Sequence, residues 1–215
     1  MKAVVVAGGE AAPEDAALLN DTDLVVAADG GAAFLDTLGR LPDLLVGDLD
    51  SADGALVERL AAAGVSVERH PAAKDATDAE LAIDRAVAAG ARRVTVIGAF
   101  AGERLDHELA NLLLLADPAW ASRLEDLRMV RGGTLARAVH GPGQMALEAR
   151  EGDTVSLLPA GGDARGVRTD GLQYPLDGET LGLGRSRGLS NVVVRYSASV
   201  ALEAGVLLVI ETAKE

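Results

Sequence analysis

Through the first 120 residues, short aliphatic or β-branched runs alternate with Ala- and Leu-rich stretches, and this constrains the fold more than any other feature. "KAVVVA", "DLVVAA", "DLLV", "VSVER" and "RVTVIG" interleave with "PEDAALLN", "GALVERLAAAG" and "DAELAIDRAVAAGA". Short strand-like runs separated by helical stretches build parallel α/β sheets. Gly64 and Gly90 stand where left-handed helix caps belong, and "TDAE" (Thr77 to Glu80) reads as a capping box. After "RMVRGG" the helical period is lost. "GPGQ" breaks the chain, and "TVSLLP", "GVRT", "NVVVRY" and "VLLVIE" are strand candidates parted by Gly, Pro and Asp. Turn signals at such short spacing belong to a small sandwich or barrel. The expected fold is α/β: an N-terminal parallel-sheet, Rossmann-like domain over residues 1–138, then an all-β sandwich domain over residues 139–215.

The chain has 215 residues and 49% hydrophobic content, enough for packed cores. It has no Cys, so disulfides, thiolate metal sites and cysteine nucleophiles are excluded, and any metal must be held by oxygen or by the three histidines. A hard cation such as Mg²⁺ suits that donor set. The net charge is −13 and aromatics are 2%, which offers neither a phosphate-neutralising surface nor a base-stacking platform, so no nucleic-acid partner is expected. The acidity is concentrated early: 23 acidic against 13 basic residues precede Gly141, and 10 against 7 follow from it. "MKAVVVAGG" carries six apolar residues before Gly8, too short for a signal segment or a membrane span. The expectation is a cytoplasmic protein without membrane association.

In an open parallel sheet, ligands bind outside the carboxyl ends of the strands, so the residues just after each run are the candidates. They are Gly8 and Gly9 after the first run; Asp29, Gly30 and Gly31 of "ADGGA"; and Asp48 and Asp50 of "GDLDS". Then come Lys74, Asp75 and Asp78 of "KDATDAE", and Arg104, Asp106, His107 and Asn111 of "GAFAGERLDHELAN". On extended backbone, Asp48 and Asp50 would point the same way, ~6.5–7 Å apart at Cα. Two carboxylates at that spacing repel by ~3 kcal/mol, which a cation between them would reverse. Glycines at strand ends let backbone approach a phosphate, and Lys74 and Arg104 could neutralise it. Plainer readings stand beside these. "DGG" is also a common turn, an acid such as Asp78 suits a helix N-terminus, Lys74 could be a surface charge, and the polar side of "RLDHELANLLLLA" could simply be solvated. Neither a Walker A pattern nor a G-x-G-x-x-G fingerprint is present.

Taken together and in order, "ADGGA", "PDLLVGDLDS", "KDATDAELA", "GAFAGERLDHELANLLLL", "GLQYPL" and "GLSN" resemble the blocks of the thiamine pyrophosphokinase family. The resemblance implies a catalytic α/β domain and a β-sandwich domain in a homodimer that binds thiamine near its subunit interface. It implies transfer of the β,γ-diphosphate of ATP to the thiamine hydroxyl, with release of AMP and a requirement for Mg²⁺. By motif, Asp48, Asp50 and Asp78 would bind the metal, and Asp29 and Asp106 would complete the catalytic acidic set, with Asp78 or Asp106 as proton acceptor. Gly30, Gly31, Lys74, Arg104, His107 and Asn111 would serve the nucleotide. Ser190 and Asn191 would face the thiamine pyrimidine.

Two stretches depart from the family pattern. "GVLLVIE" has no aromatic where some members carry a stacking tryptophan, and "GAFAGER" places Ala99 and Glu103 in a block that is often glycine-rich. Two other readings share parts of this pattern: a pyrophosphokinase acting on a hydroxymethyl pterin, and a non-catalytic nucleotide or metabolite sensor.

Overall fold

The computed structural model describes residues 1–50, 53–102 and 104–214; Ser51 of "GDLDS" and Glu103 of "GAFAGER" lie outside the described residues. The chain divides into two compact units, Met1–Leu114 with Ser122–Gly132, and Leu115–Ala121 with Gly133–Glu215.

The first unit carries strands β1 (Lys2–Val6), β2 (Leu24–Ala28), β3 (Leu44–Gly47), β4 (Ser66–Arg69), β5 (Arg93–Ile97) and β6 (Asp126–Arg131). They are parallel neighbours in the order β6-β5-β1-β2-β3-β4. The chain steps outward from β1 to β4 and then returns to β5 on the other side of β1. The strand order therefore reverses between β1 and β5, where a crevice opens at the carboxyl ends. The central strands are buried on both faces, Val4, Val5 and Val6 being at most 3% exposed, as continuous β-branched runs require.

Helices α1 (Gly31–Thr37), α2 (Gly54–Ala62), α3 (Asp78–Ala88), α4 (Leu105–Leu114) and α5 (Pro118–Arg123) follow in chain order. "PEDAALLN" forms a 3-10 helix over Pro13–Asp21, anchored by buried Asp15, whose carboxylate accepts from the backbone N–H groups of Ala12 and Gly132. α3 begins where the capping box placed it: Thr77 Oγ1 accepts from Glu80 N at 3.2 Å. Its Ala79, Ala82, Ile83 and Ala86 form one buried stripe, and α3 packs on β1, β2 and β3. Burying a side chain such as Ile83 stabilises the fold by about 1.5–3 kcal/mol. α2 and α3 end at Gly64 and Gly90, both left-handed. At the start of α1, a Cβ on Gly31 would lie 2.0 Å from the Val6 carbonyl oxygen, so only glycine lets the helix sit this close to β1.

α4 departs from the sequence reading. Its leucines at four-residue spacing, Leu105, Leu109 and Leu113, are more than half exposed, whereas Asn111 is buried. The helix turns a polar side inward because Asn111 hydrogen-bonds the end of β5.

The second unit carries β7 (Thr134–His140), β8 (Gly143–Ala146), β9 (Thr154–Pro159), β10 (Ala164–Asp170), β11 (Asp177–Leu181), β12 (Asn191–Val192), β13 (Ser199–Leu202) and β14 (Val206–Thr212). All its pairings are antiparallel, in the orders β12-β9-β14-β7 and β11-β10-β13-β8. Alternating residues from both groups (Val155 and Leu157, Val200 and Leu202, Leu207 and Val209) fill one core. "NVVVRY" yields strand only at Asn191 and Val192, because the chain bends at Arg195 and turns through left-handed Ser197. Among the described residues no helix is long and apolar enough to cross a membrane.

Candidate active site at the carboxyl edge of the parallel sheet

The loops leaving β1, β2, β3 and β5, together with the first turns of α3 and α4, surround a cavity of about 750 Å³. Its wall includes Gly8 and Gly9 after β1, Asp29 after β2, Asp48 and Asp50 after β3, and Gly98, Ala99 and Gly102 after β5. Thr77 and Asp78 enter from α3, and Arg104, His107, Glu108 and Asn111 from the α4 end. The cavity occupies the strand-order reversal, where an open sheet places ligands.

Three carboxylates draw together at one point. Asp29, Asp48 and Asp78 each offer an oxygen, and these oxygens lie within 4.8 Å of one another. Sharp backbone brings them there. Asp29 is left-handed (φ 45), and its N–H donates to the Val46 carbonyl at 2.8 Å. Between Asp29 and Asp78 sits Gly47 (φ 156), whose added Cβ would meet the Asp29 Cβ at 3.0 Å and Asp78 Oδ1 at 3.1 Å. The absent side chain at position 47 lets the trio close.

The Asp48–Asp50 doublet is built differently from its reading on extended backbone. Leu49 is left-handed (φ 62) and buried, and Asp48 Oδ1 accepts from Asp50 N at 3.2 Å. That local bond bends the chain, so Asp48 joins Asp29 and Asp78 while Asp50 is exposed and lines the cavity outside that trio.

Lys74 answers this negative charge. Its Nζ donates to Asp48 Oδ2 at 2.9 Å and lies 3.1 Å from Asp78 Oδ1, with 14% of the side chain exposed. The hydrogen bond from Lys74 holds the Asp48 carboxyl below its ordinary range, assisted by Asp50 N–H. For Lys74 itself, burial pulls the ammonium pKa down, but the hydrogen bonds to Asp48 and Asp78 outweigh it and hold it above the ordinary value.

The remaining candidates are placed as follows. Arg104 donates from Nε and Nη2 to Asp106 at 2.9 and 2.6 Å, which holds the exposed Asp106 carboxyl at about 2. Asp106 is thus engaged by Arg104 and is not among the residues that line the cavity. His107 lines it, and buried Asn111 donates from Nδ2 to Ala99 O at 2.7 Å. Gly30 and Gly31 pack against Gly8, so they shape the wall from behind. Glu10, Thr77 and Glu108 also line the cavity and were not singled out from the sequence; Glu108 Oε1 accepts from Gly102 N at 2.7 Å, pinning the loop after β5. A first-turn acid facing a glycine loop was the available signal for Glu108, and nothing local distinguished Glu10.

In the second unit, Ser190 is left-handed (φ 55), and its N–H donates to Ser156 Oγ at 3.1 Å. Asn191 is buried and clamps Tyr174: Oδ1 accepts from Tyr174 N and Val192 N, and Nδ2 donates to Tyr174 O. The Asn191 side chain therefore spends most of its bonding capacity on this turn.

Fold and site define an α/β chain with an acidic, glycine-walled cavity at the carboxyl edge of a parallel sheet, followed by an antiparallel β unit. Residues 16–125 match the thiamin pyrophosphokinase catalytic domain, and residues 144–207 match the thiamin pyrophosphokinase vitamin B1 binding domain. The chain belongs to the thiamin pyrophosphokinase family of kinase-type transferases. Thiamine pyrophosphokinase of Bacillus subtilis (strain 168) is 26% identical over 211 residues, 97% of each chain. A crystal structure of thiamine pyrophosphokinase from Bacillus subtilis superposes with TM-score 0.88 over 100% of both chains at 24% identity. That of Geobacillus thermodenitrificans gives 0.82 at 27% identity, over 100% of this chain and 99% of the other.

Proposed function

We propose that this chain transfers the β,γ-diphosphate of ATP to the hydroxyl of thiamine, giving thiamine diphosphate and AMP. The observation that carries the reading is the Asp29, Asp48 and Asp78 cluster, held at the sheet's carboxyl edge within the segment that matches the catalytic domain. The hydroxyl oxygen attacks the β-phosphorus, the bond between that phosphorus and the α,β-bridging oxygen breaks, and the hydroxyl proton leaves to a carboxylate or to water.

A Mg²⁺ ion fits the donor set, which is all carboxylate, has no soft ligand, and already holds an ammonium group between two of its members. Asp29, Asp48 and Asp78 would hold it, with Asp50 beside them. When bound, the ion neutralises phosphate charge and fixes the triphosphate oxygens. Among the described residues six carboxylates line the cavity (Glu10, Asp29, Asp48, Asp50, Asp78, Glu108), so a bare triphosphate would be repelled. Gly9 and Gly98 let the loops after β1 and β5 pack backbone against backbone, since an added Cβ on either would meet a carbonyl oxygen at 2.6 Å, and Arg104 and Lys74 would supply positive charge. Asp78 is the better placed proton acceptor of the two candidates, because it lines the cavity and Asp106 does not. Alignment of alcohol and phosphorus provides the remaining rate.

Residues 139–215 would form the sandwich that grips the pyrimidine, with Ser190 and the Tyr174–Asn191 turn as its contacts, in a cytoplasmic homodimer. The test is to incubate the purified protein with ATP, Mg²⁺ and thiamine and resolve the products, then repeat with Asp48→Asn. Equal amounts of AMP and thiamine diphosphate are expected, falling ~10²-fold or more in the variant. Folded, ATP-binding protein that releases no AMP would overturn the reading.

A further inference from the structure

Lys74 already places a positive charge against two of the three members of the carboxylate cluster. Its Nζ is 2.9 Å from Asp48 Oδ2 and 3.1 Å from Asp78 Oδ1, and the oxygens of Asp29, Asp48 and Asp78 lie within 4.8 Å of one another. A Mg²⁺ ion takes carboxylate oxygens at about 2.0–2.1 Å. An ammonium in contact with an oxygen of Asp48 and one of Asp78 would then face an ion held by the same two carboxylates at a distance where two cations repel strongly. Ammonium and divalent ion therefore exclude each other from the cluster.

The lysine is also built to leave. It has a flexible four-carbon stem, and it sits in the connector between β4 and α3, outside both elements. Replacing the ammonium by a doubly charged ion keeps the carboxylates neutralised, so its departure leaves no unpaired acidic cluster.

We propose that Lys74 is an exchangeable counter-ion: it holds Asp48 and Asp78 together in the metal-free protein, yields its place to the entering divalent cation, and turns to the anionic phosphate that accompanies it. The cluster is thereby kept assembled without metal, at the cost of weak affinity for metal alone. Metal and phosphate bind cooperatively as a result, because the released ammonium gains a partner only when phosphate is present. This rests on the reading that Asp29, Asp48 and Asp78 hold a divalent cation.

The test uses Mn²⁺ alone, with no nucleotide, measured by electron spin resonance on the wild type, Lys74→Met and Lys74→Arg. Lys74→Met, similar in length and uncharged, is expected to bind Mn²⁺ about tenfold tighter or more, while Lys74→Arg stays near the wild type. Equal or weaker binding by folded Lys74→Met overturns the exchange and leaves the metal site standing. Absence of Mn²⁺ binding in every protein, with or without ATP, overturns both. A readout on the wild type guards against a variant that fails to fold. The chain has three lysines, Lys2, Lys74 and Lys214, so the Lys74 ζ-ammonium can be followed by ¹⁵N NMR. Adding Mg²⁺ should shift that signal and speed its exchange with water, leaving Lys2 and Lys214 unchanged; an unmoved Lys74 signal at saturating Mg²⁺ overturns the proposal.

Discussion

Asn111 on α4 donates its side-chain amide to the carbonyl oxygen of Ala99, the second residue after β5, at 2.7 Å. The residue is buried at 8% exposure, so this bond ties the start of the α4 wall to the floor of the cavity. Asn111→Leu removes the donor and leaves the Ala99 carbonyl without that partner. The expected loss is about 1–3 kcal/mol in urea denaturation, with weaker nucleotide binding by calorimetry. Unchanged stability and affinity would show that the loop after β5 is held by its other contacts.

Gly47 separates Asp29 from Asp78 with no side chain of its own. Gly47→Ala forces a Cβ into the Asp29 side chain on backbone at φ 156, where alanine is strained. The expected outcome is a stability loss of about 1–3 kcal/mol and a larger proportional loss of Mn²⁺ affinity, because the carboxylates must part to admit the methyl group. Metal affinity equal to the wild type would show that the trio closes without help from position 47.

In the second unit, Arg137 and Glu211 form a buried pair: Nη2 lies 2.5 Å from Oε1, with side chains 8% and 4% exposed. The other Glu211 oxygen accepts from Glu148 N and Ala149 N. Arg137→Met leaves a buried carboxylate without its cation and should cost about 3–5 kcal/mol, whereas the double variant Arg137→Met/Glu211→Leu should recover part of it. A double-mutant cycle by chemical denaturation measures the coupling; a value near zero would mean the backbone donors alone satisfy Glu211.

Glu68 on β4 accepts from Arg85 Nε at 2.7 Å and lies 2.7 Å from His70 Nε2. The Arg85 hydrogen bond holds its pKa below the ordinary 4.5, assisted by His70. A depressed acid binds fewer protons folded than unfolded, so its stabilisation is complete above about pH 4.5 and is lost as pH falls through the folded value. The Glu68 carboxyl should therefore titrate below 4.5 by ¹³C NMR and move up in Arg85→Leu. The stability gap between wild type and Glu68→Gln should close as pH falls from about 4.5 through the folded value. A gap that widens toward acid pH would contradict this sign.

The alternation of runs was legible because it is local chemistry. Five apolar runs became β1 to β5, Thr77 capped α3, and Gly64 and Gly90 took left-handed backbone. The strand-end acids were equally legible as a set. What local pattern hid was their geometry. Leu49 adopts left-handed backbone, which no alternation rule anticipates for leucine, and Asp29 joins Asp48 and Asp78 in the cluster whose oxygens lie within 4.8 Å of one another. In the same way "NVVVRY" had the composition of a strand, yet the strand covers only Asn191 and Val192, followed by an isolated bridge from Val193 to Leu172, before the chain turns through left-handed Ser197.

Sequence by itself determined the parallel α/β character of the first unit, the β character of the second, and which loops bring carboxylates to one sheet edge. Period, capping and the position of residues after strands are properties of neighbours along the chain. Only the tertiary structure decided that Lys74 reaches Asp48 and that Asn191 clamps Tyr174. Those outcomes depend on which charge lies within 3–4 Å of which, and distances between side chains from different strands are set by the strand order and backbone turns of the whole sheet.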